Sequence, residues 1–404
     1  MQITIALGKT GAAMTIVIDP AVRIIADDAQ IFVLHPGRGK RFLQDFAEEK
    51  AVFLDLPGVA FVAPPLAKAK DVQRLLRMSR EIRTWRNAGG KGDGPSRDPV
   101  KYKTGGDRAR FLHEVEDLYA DAKAGDLIIA PGHGYGRTLL IGEFANNFDA
   151  NLVVYPAREK GEKFPARKVH WLDIQASKRD FSGRLIKLFQ NRQAIIRITN
   201  PDDRHEVYER TYGDYVWKET SGNLVRVTAE ESDLHDLAKA FDLTNYFAAQ
   251  YLALRKGELQ QFVALPMEDA LEKYYDKSYF SGVGIEIHSP GFLSRVAKSA
   301  AMSSYISVML ALSAQGVSAQ DAASAIVSNS ANKVVSICDV QLQSDIRDTM
   351  VVHANMGLWF SKICPKSQAA SESVGLKSDV GVKDVPAHEA PPDAANAGDA
   401  EAVQ

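Results

Sequence analysis

Cysteine is scarce in this 404-residue chain, which contains only Cys338 and Cys364. The two residues are far apart and form no Cys-x-x-Cys pair, so a disulfide framework and a cysteine-based zinc finger are both excluded. We expect ordinary buried thiols. No basic segment precedes the first apolar run in MQITIALGKTGAAMTIVI, which predicts the absence of a secretory signal. Together these features predict a protein of the reducing cytoplasm.

Long hydrophobic runs are also missing. The most apolar stretch, residues 299–313, has no charged residue, but its length of 15 falls short of the roughly 20 residues that a membrane span needs. The stretch therefore predicts a buried helix of a bundle, and no association with a membrane is expected.

The charge of the chain is unevenly distributed. The net charge of −2 combines 32 Lys and Arg against 23 Asp and Glu in residues 1–200 with 17 against 28 in the remainder. A basic half of this kind is expected of a protein that binds a polyanion such as nucleic acid. The alternative is an ordinary solvated surface.

The charge reversal predicts the domain organisation. Residues 1–200 are expected to form a basic, β-rich nucleic-acid-recognition domain, and residues 201–366 an acidic, mostly helical effector or interaction domain. Residues 367–404 are rich in Ala, Ser and Pro, with seven acidic and two basic residues, and predict a disordered acidic tail. The fold class is therefore α+β.

Short apolar runs and glycine-rich turns alternate through residues 124–198. Residues 127–130 and 138–144 predict two strands joined by a loop with three glycines, and further strands are expected at 169–174 and 194–198. Residues 184–189 have helical spacing. Several short strands around one small helix predict a compact β-barrel of the nucleic-acid-binding kind.

These segments resemble a known family. The order GDLII…GYG…LIGEF, then a basic strand with Trp171, then FSGRLIKLF, is similar to the N-terminal recognition domain of Mrr-type restriction endonucleases and of related bacterial anti-phage proteins. The earlier segment IFVLHPGRGKRFLQDFAEEKAVFLDLPG also resembles the start of that domain, so the resemblance covers residues 31–198. It implies a small PUA/EVE-like or similar barrel that binds DNA, including DNA with modified bases, and does not by itself imply cleavage.

Two segments predict phosphate contacts. The turn at 35–41 combines glycines, which let a ligand approach the backbone, with three cations. The amphipathic helix predicted at 71–86 carries an arginine at every third position, a spacing that suits a row of phosphates. A solvated turn and an exposed helix face are the alternatives. The predicted phosphate-binding residues are Arg38, Lys40, Arg41, Arg74, Arg77, Arg80 and Arg83.

A second group predicts contact with bases. In the loop His133–Arg137, His133 and Tyr135 lie between glycines, where a ring can stack on a base, and Arg137 follows. Trp171 and Trp85 are candidates for the wall of a base pocket, with burial in the core as the alternative. Arg167 and Lys168, just before Trp171, complete the predicted nucleic-acid interface.

An alternative function is nucleolytic. Asp276 precedes a predicted strand and Glu286 lies within it, roughly as in PD-(D/E)xK nucleases, which hold Mg²⁺. His288 occupies the position where such enzymes have Lys, and a plain hairpin is the other interpretation. No other metal site or cofactor is expected.

Three hypotheses follow. The favoured one is a DNA-binding sensor of a restriction or anti-phage system, acting with a protein partner or as a homo-oligomer through its helical domain. The second is a metal-dependent nuclease with a diverged site at Asp276 and Glu286. The third is an oligomerising interaction protein.

Overall fold

The computed structural model describes residues 14–391 except 67, 105–108, 135–138, 160, 175, 192, 230–232, 287–290, 333–335 and 387. For residues 109, 110, 283, 285 and 286 it describes the backbone but not the side chain. The chain is α+β, with 46% helix and 20% strand, which confirms the predicted fold class.

The described residues form strands and α-helices that we number in chain order. The strands are β1 (Met14–Asp19), β2 (Arg23–Ile25), β3 (Ile31–Leu34), β4 (Ala51–Val52), β5 (Leu127–Ala130), β6 (Leu140–Phe144), β7 (Val153–Val154), β8 (Phe164–Pro165), β9 (Arg167–Trp171), β10 (Ile195–Arg197), β11 (Tyr215–Trp217), β12 (Thr220–Val227), β13 (Phe280–Glu286), β14 (Gly291–Ala297), β15 (Ile326–Val327), β16 (Leu376–Lys377) and β17 (Gly381–Pro386). The helices are α1 (Leu43–Glu49), α2 (Lys70–Asn87), α3 (Ala109–Glu116), α4 (Gly183–Phe189), α5 (Pro201–Tyr212), α6 (Leu234–Arg255), α7 (Leu259–Ala264), α8 (Met267–Tyr274), α9 (Met302–Ala314), α10 (Ala319–Ala323), α11 (Ile337–Met356) and α12 (Cys364–Val374).

Two compact units divide the chain. The inserted unit runs from Asp28 to Thr211, and the split unit combines the segment that ends at Asp27 with the segment that begins at Tyr212. This division differs from the predicted boundary at residue 200, because strands β1 and β2 pair within the split unit rather than with the basic half of the sequence.

The inserted unit is built on a curled half-barrel sheet with the strand order β10-β3-β5-β6-β9-β4. Strands β3 and β5 run parallel, and the other neighbours in this sheet are antiparallel. All residues of IFVL in β3 and of LIIA in β5 are buried, which is the pattern expected of central strands covered on both faces.

Aromatic packing fills this unit. Phe42, Phe46, Phe53 and Phe164 are buried and meet in edge or tilted contacts, with ring centroids 4.9–5.8 Å apart. Such contacts stabilise a core beyond the area that they bury. The result is a rigid base for the loops at the ends of the central strands.

The split unit contains two sheets. One has the order β15-β1-β17, and the other the order β13-β14-β12-β11-β2, with β16 paired to β12. The predicted disordered tail is wrong in its first part, since residues up to Val374 continue α12 and Gly381–Pro386 pairs with β1 along its whole length. The domain that was predicted to be mostly helical also contains these two sheets.

Helices α6 and α9 fill the core of the split unit. Every residue of α9 from Met302 to Ser313 is buried, which confirms the predicted buried helix. A buried polar network lies beside it: Tyr305 donates to Gln250 at 3.0 Å, and the Gln250 amide contacts Nε2 of His353 at 2.6 Å. Among the residues described, no helix is long and apolar enough to cross a membrane.

The segment around residues 200–227 contains a helix and a hairpin. Pro201–Tyr212 is a helix where a domain boundary was expected; Pro at its first position and two acids in its first turn are the missed signals. The hairpin that follows joins β11 to β12 and turns at Lys218, which has a left-handed φ of 57°.

Asp214 makes the stability of the split unit dependent on pH. Its carboxylate is buried and accepts a hydrogen bond from Leu224 N at 3.0 Å, and burial raises its pKa to about 7. Because the pKa is higher in the folded state than in the unfolded state, this contribution to stability is complete below about pH 4 and is lost as the pH rises through about 7.

Asp214→Asn keeps the acceptor but cannot ionise. We therefore compare the free energy of unfolding of the variant with that of wild type. The variant-minus-wild-type difference should be about 2–4 kcal/mol larger at about pH 8 than at about pH 4. Urea titrations of both proteins at the two pH values measure this difference, in which all other titrating groups cancel. A difference that does not change with pH would contradict the assignment.

Candidate nucleic-acid interface

Two glycine-containing turns lie at one end of the central sheet of the inserted unit. The turn His35–Arg41 follows β3, and the turn that begins at Pro131 follows β5. Strands β3 and β5 are parallel neighbours, with Val33 opposite Ile129. Because the carboxyl ends of parallel neighbours lie side by side, the two turns are brought together.

The first turn has a tight backbone. Gly37 and Gly39 have φ values of 67° and 64°, and a Cβ at Gly37 would lie 2.7 Å from the Phe42 ring. Lys40 also has a left-handed φ, 55°, which is uncommon for a residue with a side chain and costs about 1 kcal/mol. The Lys40 side chain is thus held in place by a constrained turn.

Three basic side chains meet at these turns, and we call His35, Lys40 and Lys178 the basic cluster. The Lys40 ammonium donates to Nδ1 of His35 at 2.6 Å. The Lys178 side chain is only 5% exposed, and its ammonium donates to the Gly132 carbonyl at 2.9 Å. Within the described residues, neither lysine forms an ion pair with a carboxylate.

The pKa values reflect this crowding. Burial, reinforced by the charge of Lys178, lowers the pKa of Lys40 to about 8. Burial and the charge of Lys40 lower the pKa of His35 to about 4, so this imidazole is neutral at pH 7. Burial also lowers the pKa of Lys178. The cluster is therefore a place where an anion would relieve an unfavourable accumulation of positive charge.

A capping box positions Lys178. The Ser177 side chain accepts from the backbone of the following turn, and the Asp180 carboxylate accepts from Ser177 N at 2.5 Å. The carboxylate nearest to Lys178 in sequence, that of Asp180, is therefore bound to the backbone. Sequence analysis missed Lys178 and His35, although the Ser-x-x-Asp spacing at 177–180 is a detectable signal.

The exposed predicted residues of these turns are Arg38 and His133. Tyr135 and Arg137 lie outside the described residues. The structure thus has Arg38 and Lys40 on one turn and His133 on the turn next to it.

The predicted helix at 71–86 is present as α2. Its arginines at every third position, which we call the arginine ladder, have partners within the inserted unit. Arg74 forms an ion pair with Asp71 at 3.3 Å. Arg83 approaches Asp55 at 3.8 Å, and the same carboxylate binds Arg41 at 2.9 Å. Two predicted phosphate-binding residues, Arg41 and Arg83, therefore share one acid of the same unit.

The remaining ladder residues also contact the protein. Arg86 forms an ion pair with Glu159 at 2.9 Å, Arg77 donates to the Lys103 carbonyl at 3.4 Å, and the Arg80 guanidinium lies 6.0 Å from the centre of the Phe111 ring. The ladder therefore fastens α2 to neighbouring loops, an interpretation that its sequence spacing did not suggest.

Arg167 is a correction to the predicted interface. Its side chain is 1% exposed, and its guanidinium donates to the carbonyls of Leu118, Ala122 and Asn146 at 2.7–2.9 Å. It also lies over the Phe144 ring at 4.7 Å. A side chain buried in this way cannot reach a phosphate and instead satisfies carbonyl groups.

Its neighbours differ from it. Lys168 is exposed and donates to the Glu49 carbonyl at 3.2 Å. Trp171 packs against the core of the inserted unit, and its indole N–H donates to the Phe46 carbonyl at 2.9 Å. Trp85 similarly donates to the Lys91 carbonyl at 3.1 Å. Both indole N–H groups are thus used within the protein, and the packing of Trp171 favours the core interpretation for that residue.

The two proposed nuclease residues lie in different elements of the split unit. Asp276 caps a short turn by accepting from Ser278 N at 2.8 Å, and Glu286 is the last residue of β13. The six steps along β13 from Phe280 to Glu286 span about 20 Å, which separates the backbone of Glu286 from the start of the strand. Among the described residues, no group of three or more His, Cys, Asp or Glu could hold a metal.

Comparison of the chain with protein-family models, with curated proteins and with solved structures finds no match.

Replacing Arg167 tests its structural role. We expect Arg167→Met to destabilise the inserted unit by about 3–5 kcal/mol, because three carbonyl groups lose their donor. Urea unfolding measures this loss. Lys168→Met, at the adjacent exposed position, is the matched control and should cost about 0.5 kcal/mol or less. Equal stability of the two variants would contradict the burial of Arg167.

Proposed function

We propose that the inserted unit binds nucleic acid, with DNA as the favoured ligand, through the basic cluster and the two turns beside it. The basic cluster carries this proposal, because two lysines and a histidine gather there without a carboxylate partner in the described residues. A phosphate group supplies the missing negative charge. The excess of 32 Lys and Arg over 25 Asp and Glu in residues 28–211 supports the same ligand.

The resemblance to the Mrr-type recognition domain extends this proposal. It covers residues 31–198, nearly the whole inserted unit, and the curled half-barrel sheet is compatible with a PUA/EVE-like fold. We propose that the protein senses DNA, including DNA with modified bases, within a bacterial restriction or anti-phage system. The split unit would then provide the contact with a protein partner or a second copy.

The nuclease alternative loses support because Asp276 caps the turn before β13, whereas Glu286 is the last residue of that strand. The interaction-protein alternative requires no nucleic acid. Binding measurements with the full chain therefore separate it from the favoured function.

Arg38 and Lys40 are the residues whose replacement tests DNA binding most directly. We expect wild type to bind duplex DNA with a steep dependence on salt between about 50 and 200 mM. The double variant Arg38→Ala/Lys40→Ala should bind about tenfold more weakly at low salt, and the slope of log K against log salt should fall by about 2. Fluorescence anisotropy with a labelled oligonucleotide measures both quantities.

Lys123→Gln provides the control. Lys123 is exposed, forms an ion pair with Asp28 at 2.6 Å, and precedes β5, whereas the basic cluster lies beyond the end of that strand. This variant should bind as wild type does. Absence of binding by wild type at about 50 mM salt, or an equal loss in the control, would refute the proposal. A panel of unmodified, methylated and hydroxymethylated DNA and of RNA then identifies the preferred ligand.

A further inference from the structure

Lys40 has a chemical property that phosphate binding does not require. Most lysines of the inserted unit are ordinary surface cations; Lys123, for example, is exposed, and its ion pair with Asp28 raises its pKa. Lys40 instead is half-buried beside a second ammonium group, and these two features lower its pKa to about 8. Lys40 therefore loses its proton more readily than an unperturbed lysine does.

The geometry around the amine leaves it suited to nucleophilic attack. One N–H bond of Lys40 is directed to Nδ1 of His35, and the constrained turn fixes the start of the side chain. A neutral amine that donates one hydrogen bond keeps its lone pair free of that bond. A second cation next to a lysine amine and partial burial are the two devices by which proteins activate lysine toward carbonyl groups.

The surroundings indicate which carbonyl compound would bind. Arg38 is exposed on the same turn, and Lys178 supplies a fixed positive charge. Both favour an anionic substrate, and a phosphate ester is the anion that the proposed function already implies. A nucleotide in DNA that has lost its base carries an aldehyde at C1′ of the opened sugar, between two phosphates.

We propose that Lys40 forms a covalent imine with an aldehyde carried beside a phosphate ester, and that the substrate is an abasic site in DNA. This inference rests on the proposed binding of DNA by the inserted unit. The neutral Nζ attacks the aldehyde carbon, and a proton moves from nitrogen to oxygen to give a carbinolamine. Uptake of one proton by the hydroxyl group then releases water and leaves a protonated imine, so that no oxidant or reductant is consumed.

Borohydride trapping tests this step. The full-length protein is incubated with a duplex that contains one abasic site, and cyanoborohydride reduces any imine to a stable amine linkage. We expect a protein–DNA adduct on a denaturing gel, located at Lys40 by peptide mass spectrometry. An intact duplex should give no adduct. Free 2-deoxyribose 5-phosphate, used as a competitor, distinguishes the two sources of the aldehyde, and efficient competition by it would overturn the assignment to DNA.

Lys40→Arg separates binding from reaction. Arginine keeps the positive charge but remains protonated, so we expect the adduct to fall at least about tenfold, and by more than the affinity for intact DNA falls in the same variant. Lys123→Arg, the matched control, should form the adduct as wild type does. An undiminished adduct in Lys40→Arg would overturn the proposal.

Lys178→Gln provides a second readout that a purely structural role would not change. Removal of the neighbouring charge should raise the pKa of Lys40 and shift the pH midpoint of the trapping rate upward. Glutamine keeps a donor for the Gly132 carbonyl, and thermal unfolding checks that the variant is folded. An unshifted midpoint contradicts activation by Lys178. Wild type that binds intact DNA but forms no adduct refutes the imine alone, whereas absence of any DNA binding refutes the proposed function.

Discussion

The backbone hydrogen bonds between β3 and β5 are the constraint on which the candidate site depends. These two fully buried strands run parallel, so the turns that follow them leave the sheet at the same end. Residues almost a hundred positions apart in sequence, such as His35 and His133, are thereby placed on adjacent turns. If the two strands were antiparallel neighbours, the turns would lie at opposite ends and the basic cluster could not form.

What each cation of the inserted unit can do depends on where its partner group lies. Arg83 and Arg86 bind carboxylates of the same unit, and Arg167 is buried against three carbonyl groups. These arginines organise the protein. Lys40 instead donates to His35 and lies close enough to Lys178 to feel its charge, and this repulsion is a free-energy cost that an anionic ligand reduces. Charged groups that are destabilised in this way are more typical of ligand-binding sites than of groups that only stabilise the fold.

Elements with strong local patterns were predictable, among them the apolar runs of β3, β5 and β6 and the arginine-rich helix α2. The errors arose where tertiary pairing overrides local composition. Residues 381–386 look like a polar tail yet form a strand, because β1 supplies its hydrogen-bond partners from the other end of the chain. The charge reversal near residue 200 likewise suggested a boundary that chain pairing places elsewhere.

The sequence by itself determined the α+β class, the glycine turn at 35–41 and the excess of positive charge in the first half of the chain. Only the tertiary structure decided which cations are paired. Periodicity gives the face of a helix on which Arg83 lies, but not the acid from a distant loop that meets it. Ion pairing and burial depend on separations of a few ångströms between residues remote in sequence, and these separations exist only once the chain has folded.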